Sequence, residues 1–178
     1  ETVVELLGDI LTDHYESKSF PILYGPSNGG KSKFLEFIGR VLSKDNRSAE
    51  TLRALATGQW ASASLVNGVG VMANLADEVE GKRIEHTTQI KKLVGGTEME
   101  HENKFGDPFY KLNTAKLWNG TNHPPVIEDE KEAMANRLVP IECPYVFTSN
   151  PDPENPYEKE KEVGILDKLD TEENRADR

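Results

Sequence analysis

One stretch of the sequence places glycines, a lysine and a serine at a spacing that suits phosphate binding. It reads Gly25-Pro26-Ser27-Asn28-Gly29-Gly30-Lys31-Ser32, called here the glycine loop, and it fits the pattern Gly-x-x-x-x-Gly-Lys-Ser in full. The glycines let backbone N–H groups face the phosphates of ATP, and a helix from about Lys31 adds its dipole. The Lys31 ammonium neutralises phosphate charge, and the Ser32 hydroxyl ligates Mg²⁺. The alternative, a chance glycine-rich turn, is disfavoured by the apolar strand before the loop and the amphipathic helix after it.

An acidic pair follows the second apolar run, residues 68–76. Asp77 is suited to hold the Mg²⁺ shell, and Glu78 is suited to polarise an attacking water. Such a pair is typical of hydrolases rather than kinases, because a water nucleophile needs its own base. A surface Asp-Glu pair at a strand end is common, and it is the glycine loop upstream that favours the catalytic interpretation. The sequence therefore predicts a site that hydrolyses ATP.

Two further side chains are candidates for sensing the nucleotide. Asn122 follows a third apolar strand, where an amide can bond both the γ-phosphate and the lytic water; a plain turn asparagine before Pro124-Pro125 is the alternative. Arg137 precedes a fourth strand and is a candidate arginine finger for a neighbouring subunit's γ-phosphate. A salt bridge to a nearby acid such as Glu128 explains Arg137 equally well.

Apolar spacing and turn residues divide the chain into alternating strands and helices. Strands are predicted over residues 20–24, 68–76, 114–119 and 138–141, and helices over residues 3–10, 33–42, 86–94 and 163–169. A further helix passes through Leu52 and Leu55, with Ser48 as its N-cap. This alternation predicts an α/β fold with a mostly parallel central sheet flanked by helices.

Two segments depart from this alternation of strands and helices. Residues 98–110 alternate around Phe105-Gly106-Asp107-Pro108, which predicts a β-hairpin. Residues 149–162 are rich in proline, asparagine and charge, and they are predicted to form a loop. We expect one ATPase domain over residues 1–148. Residues 149–178 are expected to be an acidic linker and the start of a truncated C-terminal region of a longer protein.

Composition limits the classes of partner and compartment. The net charge is −10, but residues 126–178 hold 15 acids and 7 bases (−8), which leaves 16 acids and 14 bases (−2) in residues 1–125. A ring-shaped motor needs only a local basic lining, so this charge does not exclude DNA. No run approaches the roughly 20 apolar residues of a membrane span. The single cysteine, Cys143, and the acidic residues 1–11 favour a reducing, intracellular setting.

These motifs occur together in one order, and in that order the chain resembles the superfamily 3 helicase domain of phage, plasmid and provirus primase-helicases, a branch of the AAA+ ATPases. The resemblance covers about residues 5–169. Besides the glycine loop and the acidic pair, it rests on four segments: Glu5-Leu6-Leu7-Gly8, Lys91-Lys92-Leu93-Val94-Gly95-Gly96 with Lys104-Phe105, Lys116-Leu117-Trp118-Asn119-Gly120-Thr121-Asn122-His123-Pro124-Pro125, and Asn136-Arg137-Leu138-Val139-Pro140-Ile141.

The resemblance implies an AAA+-type fold with a β-hairpin insertion and a homo-hexameric ring. It also implies a cytoplasmic location in a prokaryotic or virus-infected cell. ATP and Mg²⁺ are then held between subunits, with Lys31, Ser32, Asp77, Glu78 and Asn122 from one subunit and Arg137 from the next. Family members usually move 3′ to 5′ on single-stranded DNA, so single-stranded or forked DNA and a primase domain or partner are the implied partners. Lys104 and Phe105 are the hairpin positions carried over as DNA-binding residues. An ordinary surface lysine and a hairpin core aromatic are the alternatives for those two positions.

Two features depart from the resemblance, and two other functions stay open. The family often carries two adjacent arginines where this chain has Asn136-Arg137, and acids at Glu98, Glu100 and Glu102 lie on the proposed DNA-binding hairpin. Strand alternation places those acids on the outward face. A ring that melts origin DNA or loads other factors without processive unwinding is the first alternative function. A slowly hydrolysing, nucleotide-dependent oligomerisation module is the second.

Overall fold

A parallel sheet of five strands organises the chain. The computed structural model describes residues 3–15, 18–58, 60–67, 70–77, 87–123, 126 and 133–169. The strands are β1 (Phe20–Tyr24), β2 (Arg47–Ser48), β3 (Ala73–Asp77), β4 (Glu98–Glu102), β5 (Pro108–Leu112), β6 (Lys116–Thr121), β7 (Leu138–Glu142), β8 (Val146–Thr148) and β9 (Glu158–Glu160). The large sheet has the order β2-β3-β6-β1-β7. Its central strands β1 and β6 are apolar or fully buried along their length, as expected of a parallel sheet covered on both faces.

Helices cover both faces of this sheet. They are α1 (Val3–Asp9), α2 (Lys31–Val41), α3 (Leu52–Thr57), α4 (Thr88–Leu93) and α5 (Ile165–Leu169). One apolar cluster joins α1 and α2 to the face that carries Leu23 and Trp118. A second cluster joins α3 and α4 to the face that carries Ile22 and Leu117. The predicted α/β class with a mostly parallel sheet is confirmed. Within the described residues, none of the helices has the length and apolar character needed to cross a bilayer.

The strand order places β1 between strands that lie far from it in the sequence. After β1 the chain passes through α2 to the sheet edge at β2 and β3, and then β6 inserts between β3 and β1 while β7 joins the other side of β1. All these pairs are parallel and in close register, with Tyr24 level with Thr121 and Glu142, and Asp77 level with Gly120. The carboxyl ends of β1, β3, β6 and β7 therefore meet at one edge. In open α/β sheets this is where ligands bind.

The predicted N-cap of α3 is wrong. Ser48 lies in β2, and its hydroxyl donates to the Asn74 side-chain oxygen at 2.8 Å. Its side chain therefore bonds β3 instead of capping the helix. The cap is Thr51, whose hydroxyl oxygen accepts from the Ala54 backbone N–H at 3.1 Å. The pairing of β2 with β3, which is not local, places Ser48 in a strand, and Thr51 caps the helix instead.

Two small sheets accompany the large one. β4 and β5 pair antiparallel over residues 98–112, in agreement with the hairpin predicted there. β8 and β9 pair in parallel, although residues 149–162 were predicted to be a loop. This second pair spans the predicted domain boundary at residue 148. α5 is also tied to the main body, because Arg40 on α2 bonds Asp167 at 2.7 Å.

Two buried asparagines on one face of the sheet differ in how their amides are satisfied. Asn74 accepts from Ser48 and from the Glu50 backbone N–H, and it donates to the Glu50 carbonyl at 2.8 Å. Asn119, on the neighbouring strand β6, is also fully buried, yet neither of its amide atoms has a hydrogen-bond partner among the described residues. Leaving a buried polar group unsatisfied costs about 1–3 kcal/mol, so the two amides contribute to stability with opposite signs.

Leucine at these two positions is therefore expected to shift stability in opposite directions. Asn74→Leu should lower the free energy of unfolding by about 2 kcal/mol, because the Glu50 backbone loses both partners. Asn119→Leu should raise it by about 1 kcal/mol, because an unpaired amide leaves the core. Urea unfolding of the two variants beside the unaltered chain measures both shifts, and each serves as the control of the other. Loss of stability in Asn119→Leu would show that its amide has a bonding partner in solution.

Candidate functional site

The glycine loop leaves β1 at the sheet edge and ends where α2 begins. Gly25 has φ +146°, and a Cβ built on it lies 2.2 Å from the Cys143 carbonyl oxygen, so only glycine fits beside this backbone. Asn28 and Gly30 are left-handed, with φ of 61° and 83°. Gly30 occupies the N-cap of α2 without any side-chain cap, and the first N–H groups of the helix therefore face the loop. Gly29 is buried while Ser32 is exposed at the first turn of α2.

Lys31 sits inside this loop rather than on its outside. The residue is buried, and its ammonium donates to the backbone carbonyls of Gly25 at 2.8 Å and Pro26 at 2.7 Å. Among the described residues, none of the carboxylates lies within ion-pair distance of it, so neutral carbonyls alone solvate the charge. A buried cation without a counter-ion is costly, and an anion at the loop would lower that cost. The Lys31 ammonium and the uncapped N-terminus of α2 together give the loop a positive electrostatic potential.

Asp77 and Asn122 reach the same edge from the strands beside β1. Asp77 is the last residue of β3, Asn122 is the first after β6, and both are exposed. Gly120 stands opposite Asp77 in the register, and a Cβ built on it lies 2.9 Å from the Asp77 Oδ1. Gly120 thus leaves the space that the carboxylate occupies. No local sequence pattern indicates this role of Gly120, because the pairing of residues 77 and 120 is not local. Glu78 falls outside the described residues.

Arg137 lies at the opposite edge of the sheet. It precedes β7, whose five residues at about 3.3 Å each separate it from the carboxyl edge by about 16 Å. Arg137 is partly exposed, and its guanidinium donates to the Ala133 carbonyl at 2.6 Å, while its buried Nε has no partner within the part of the chain that the structure describes. The structure therefore does not bring Arg137 to the glycine loop of its own subunit. Glu128, its alternative partner, falls outside the described residues.

The segment after β7 runs past the glycine loop on the side away from Asp77. The Cys143 N–H donates to the Tyr24 carbonyl at 2.7 Å, and the Phe147 N–H donates to the Asn28 carbonyl at 3.0 Å. The Phe147 ring lies 3.3 Å from a Cβ built on Gly30. Burial raises the pKa of the Cys143 thiol, which the nearby Lys31 charge partly offsets. This contact between the loop and β8 had no local sequence signal.

The tip of the β4–β5 hairpin presents a cation and aromatic rings to solvent. Phe105 is 94% exposed and has φ 66°, a backbone conformation that is uncommon for residues with bulky side chains. The Lys104 ammonium lies 5.2 Å from the centre of the Phe105 ring and 5.9 Å from that of Trp60. Trp60 is 43% exposed, so the structure adds it to the hairpin residues as a surface aromatic. Phe105 is therefore not the hairpin core aromatic of the alternative prediction.

Alternation along β4 separates the acids of the hairpin from its packed side. Met99 and His101 are buried, while Glu98 and Glu100 are exposed. His101 contacts the Ser62 hydroxyl at 3.0 Å and the Lys111 carbonyl at 3.1 Å, and burial lowers its pKa. These contacts tie the hairpin to the body of the chain and turn the acids outward, as the alternation predicted.

Comparison with models of known protein families identifies a family to which the sequence is similar. Residues 23–137 match a family described as "Family of unknown function (DUF5906)". The chain belongs to this family. The matched residues contain the glycine loop, the Asp77 strand, the hairpin and β6, which are the elements that build the candidate site. None of the curated proteins compared matches this DUF5906 chain.

Solved structures similar to this DUF5906 member are helicase-like. The apo C-terminal region of NrS-1 matches with a TM-score of 0.60 at 14% identity, over 93% of this chain and 42% of that one. A second structure of that region matches with a TM-score of 0.57 at 18% identity, over 79% and 33%. JCV helicase matches with a TM-score of 0.51 at 13% identity, over 78% and 39%. The chain thus spans only about a third to two fifths of these solved chains, and at such identity the likeness establishes the fold alone.

Proposed function

We propose that this chain is the ATP-dependent motor domain of a DNA helicase, part of a primase-helicase type of replication protein of superfamily 3. One observation carries the proposal. The glycine loop with its buried Lys31 ammonium, the Asp77 carboxylate and the Asn122 amide meet at one edge of a helicase-like sheet. A cation in a glycine loop suits phosphates, and a carboxylate beside it suits the hard cation that accompanies them.

The residues at this edge have the chemistry that ATP and Mg²⁺ require. Lys31 and the N–H groups at the start of α2 would hold the β- and γ-phosphates. The Ser32 hydroxyl and the Asp77 carboxylate are oxygen donors of the kind that Mg²⁺ selects. The ion, when bound, would neutralise charge on the transferring phosphate.

Hydrolysis would use the residues that flank the phosphates. Glu78 is proposed to accept a proton from the attacking water, and Asn122 to orient that water against the γ-phosphate. Arg137, at the opposite sheet edge, is proposed to act on the nucleotide of a neighbouring subunit. This assignment goes with the proposed hexameric ring, in which each site lies between two subunits.

The tip of the β4–β5 hairpin is proposed to contact single-stranded DNA and to transmit to it the movement that ATP hydrolysis drives. Lys104 would pair with a phosphate, while the exposed rings of Phe105 and Trp60 offer stacking surfaces to bases. The acids of β4 lie on the exposed face of the strand. Because that face is negatively charged, the tip of the hairpin, and not the strand face, is proposed to contact DNA.

The central test is ATP turnover with and without single-stranded DNA. Lys31→Ala should abolish ATP binding, since the phosphates lose their cation, and Glu78→Gln should keep binding but stop phosphate release. Lys33→Ala is the matched control, because Lys33 lies outside the loop and pairs with Glu36 at 2.6 Å. We expect DNA to stimulate turnover in the unaltered chain and in this control. Turnover that DNA leaves unchanged would contradict the helicase motor and favour the slow oligomerisation module.

A methyl group at position 120 tests the role of Asp77. Gly120→Ala places its Cβ 2.9 Å from the Asp77 Oδ1, so the carboxylate must rotate away while the fold needs little change. We expect ATP binding to persist and Mg²⁺-dependent phosphate release to fall by about 100-fold, as small misplacements in active sites do. Gly8→Ala on α1, where a Cβ meets nothing within 4 Å, is the control. Unchanged turnover in Gly120→Ala would remove Asp77 from the Mg²⁺ shell.

Salt dependence separates the two proposed hairpin contacts. Lys104→Ala should weaken binding to single-stranded DNA and reduce the slope of log affinity against log salt by about 0.7, the value for one phosphate contact. Phe105→Ala should weaken binding by about tenfold without changing that slope, because stacking releases no counter-ion. Lys44→Ala, an exposed lysine on another element, is the control. Equal slopes in all three variants would show that Lys104 contacts no phosphate.

A further inference from the structure

The two-stranded sheet β8–β9 carries an aromatic face that nothing in the proposed ATPase chemistry uses. In the parallel register Phe147 stands level with Lys159, so alternate residues of both strands share one side. That side holds the residues called here the aromatic face: Tyr145, Phe147, Tyr157 and Lys159. The rings of Tyr145 and Tyr157 lie 6.4 Å apart, and the Lys159 ammonium lies 5.3 Å from the centre of the Tyr145 ring.

This face is exposed although it is built of large rings. Tyr145 is 43% exposed, Phe147 37% and Tyr157 57%. Grouped aromatic side chains at a surface mark a ligand or partner site more often than scattered ones do. Aromatic rings with a cation above them suit the flat π-surface of a nucleobase.

The aromatic face is continuous with the glycine loop. Phe147 joins the two, because its N–H donates to the Asn28 carbonyl at 3.0 Å and its ring lies against Gly30. The Tyr145 carbonyl also lies 3.2 Å from a Cβ built on Gly29. A ligand seated on the loop therefore has the aromatic face as its immediate neighbour on the β7 side.

The orientation of a nucleotide follows from the two flanks of the loop. Asp77 and Asn122, at the ends of β3 and β6, lie on one flank, and the proposed attack on the γ-phosphate takes place there. The segment after β7 lies on the other flank. Because a nucleoside triphosphate carries its reactive phosphate at one end and its base at the other, the base must extend toward the β7 side.

The turn before β9 holds Tyr157 in place. The Tyr157 N–H donates to the Asn155 side-chain oxygen at 3.1 Å, and the Asp152 N–H donates to a Glu158 carboxylate oxygen at 2.8 Å. The Tyr157 carbonyl then accepts from the Val146 N–H at 2.9 Å, which locks the turn to β8. These bonds fix the Tyr157 backbone, so its ring stacks at a lower entropy cost than a ring on a mobile loop would.

We propose that the aromatic face is the base subsite of the nucleotide site, where Tyr145, Phe147 and Tyr157 stack on the base of a purine nucleoside triphosphate. The inference rests on the proposed function, since it takes the glycine loop to hold the phosphates. It assigns a binding role to residues outside the glycine loop and outside the acidic, sensor and finger positions. Stacking favours purines, which offer a larger ring surface than pyrimidines.

The test compares ATP with inorganic tripolyphosphate, which offers the phosphates without a base. Calorimetric titration in the presence of Mg²⁺ gives both affinities for the unaltered chain and for Tyr157→Ala. We expect the variant to bind ATP about tenfold more weakly and tripolyphosphate with unchanged affinity. Tyr157→Phe, which keeps the ring, should bind ATP as the unaltered chain does. Tyr110→Ala removes a similarly exposed tyrosine on the hairpin, and it should leave both affinities unchanged.

The outcomes separate this inference from the proposed function. If Tyr157→Ala binds ATP as tightly as the unaltered chain, the base lies elsewhere and the inference fails while the ATP site stands. Equal weakening of ATP and tripolyphosphate also overturns it, since the change would then act on the loop and not on the base. If the unaltered chain binds neither ligand, the proposed nucleotide site itself fails, and the inference fails with it.

Discussion

Strand β1 pairs in parallel with β6 on one side and with β7 on the other, and the candidate site depends on this double pairing. Parallel strands present their carboxyl ends at the same edge, so the loop after β1 meets the residues that follow both neighbours. The approach is so close that the Cys143 carbonyl fills the space of a side chain at Gly25. Any residue with a Cβ at that position would push β7 away from the loop.

The two flanks of the loop have different chemistry. On the β6 side the edge is polar and exposed, with a carboxylate and an amide for which Gly120 makes room. On the β7 side it is aromatic, and the backbone of β8 is hydrogen-bonded to the loop itself. A nucleotide has the same asymmetry, with a charged end and a flat apolar end. Because a backbone hydrogen bond joins β8 to the loop, a displacement of either segment also displaces the other.

The hairpin shows how one strand can serve two purposes. Its inner residues Met99 and His101 anchor it to the core, and its outer residues are acidic. The tip escapes this alternation, because the turn breaks the strand and Phe105 adopts a left-handed backbone. A bulky residue with a left-handed backbone costs free energy, so this conformation persists only where the flanking strands impose it. The exposed Phe105 ring thus distinguishes the tip from an ordinary turn.

The sequence by itself determined the features that depend on near neighbours along the chain. The glycine loop, the strand before it, the amphipathic α2 and the hairpin all follow from patterns within a few residues, since turns and periodicity are local effects. The strand predicted over residues 68–76 was placed too early, because β3 begins only at Ala73. The α/β class followed from their alternation.

Only the tertiary structure decided what depends on residues far apart in the chain. Thr51 rather than Ser48 caps α3 because β2 pairs with β3, and Gly120 matters because Asp77 is its neighbour across the sheet. Asn119 is fully buried and lacks a partner in the described part of the chain, which depends on how strands distant in sequence pack together. The charged residues 149–162 looked like a loop, yet part of this segment pairs with β8 beside the glycine loop. Strand order and register follow from the burial of the whole chain, which no local pattern encodes.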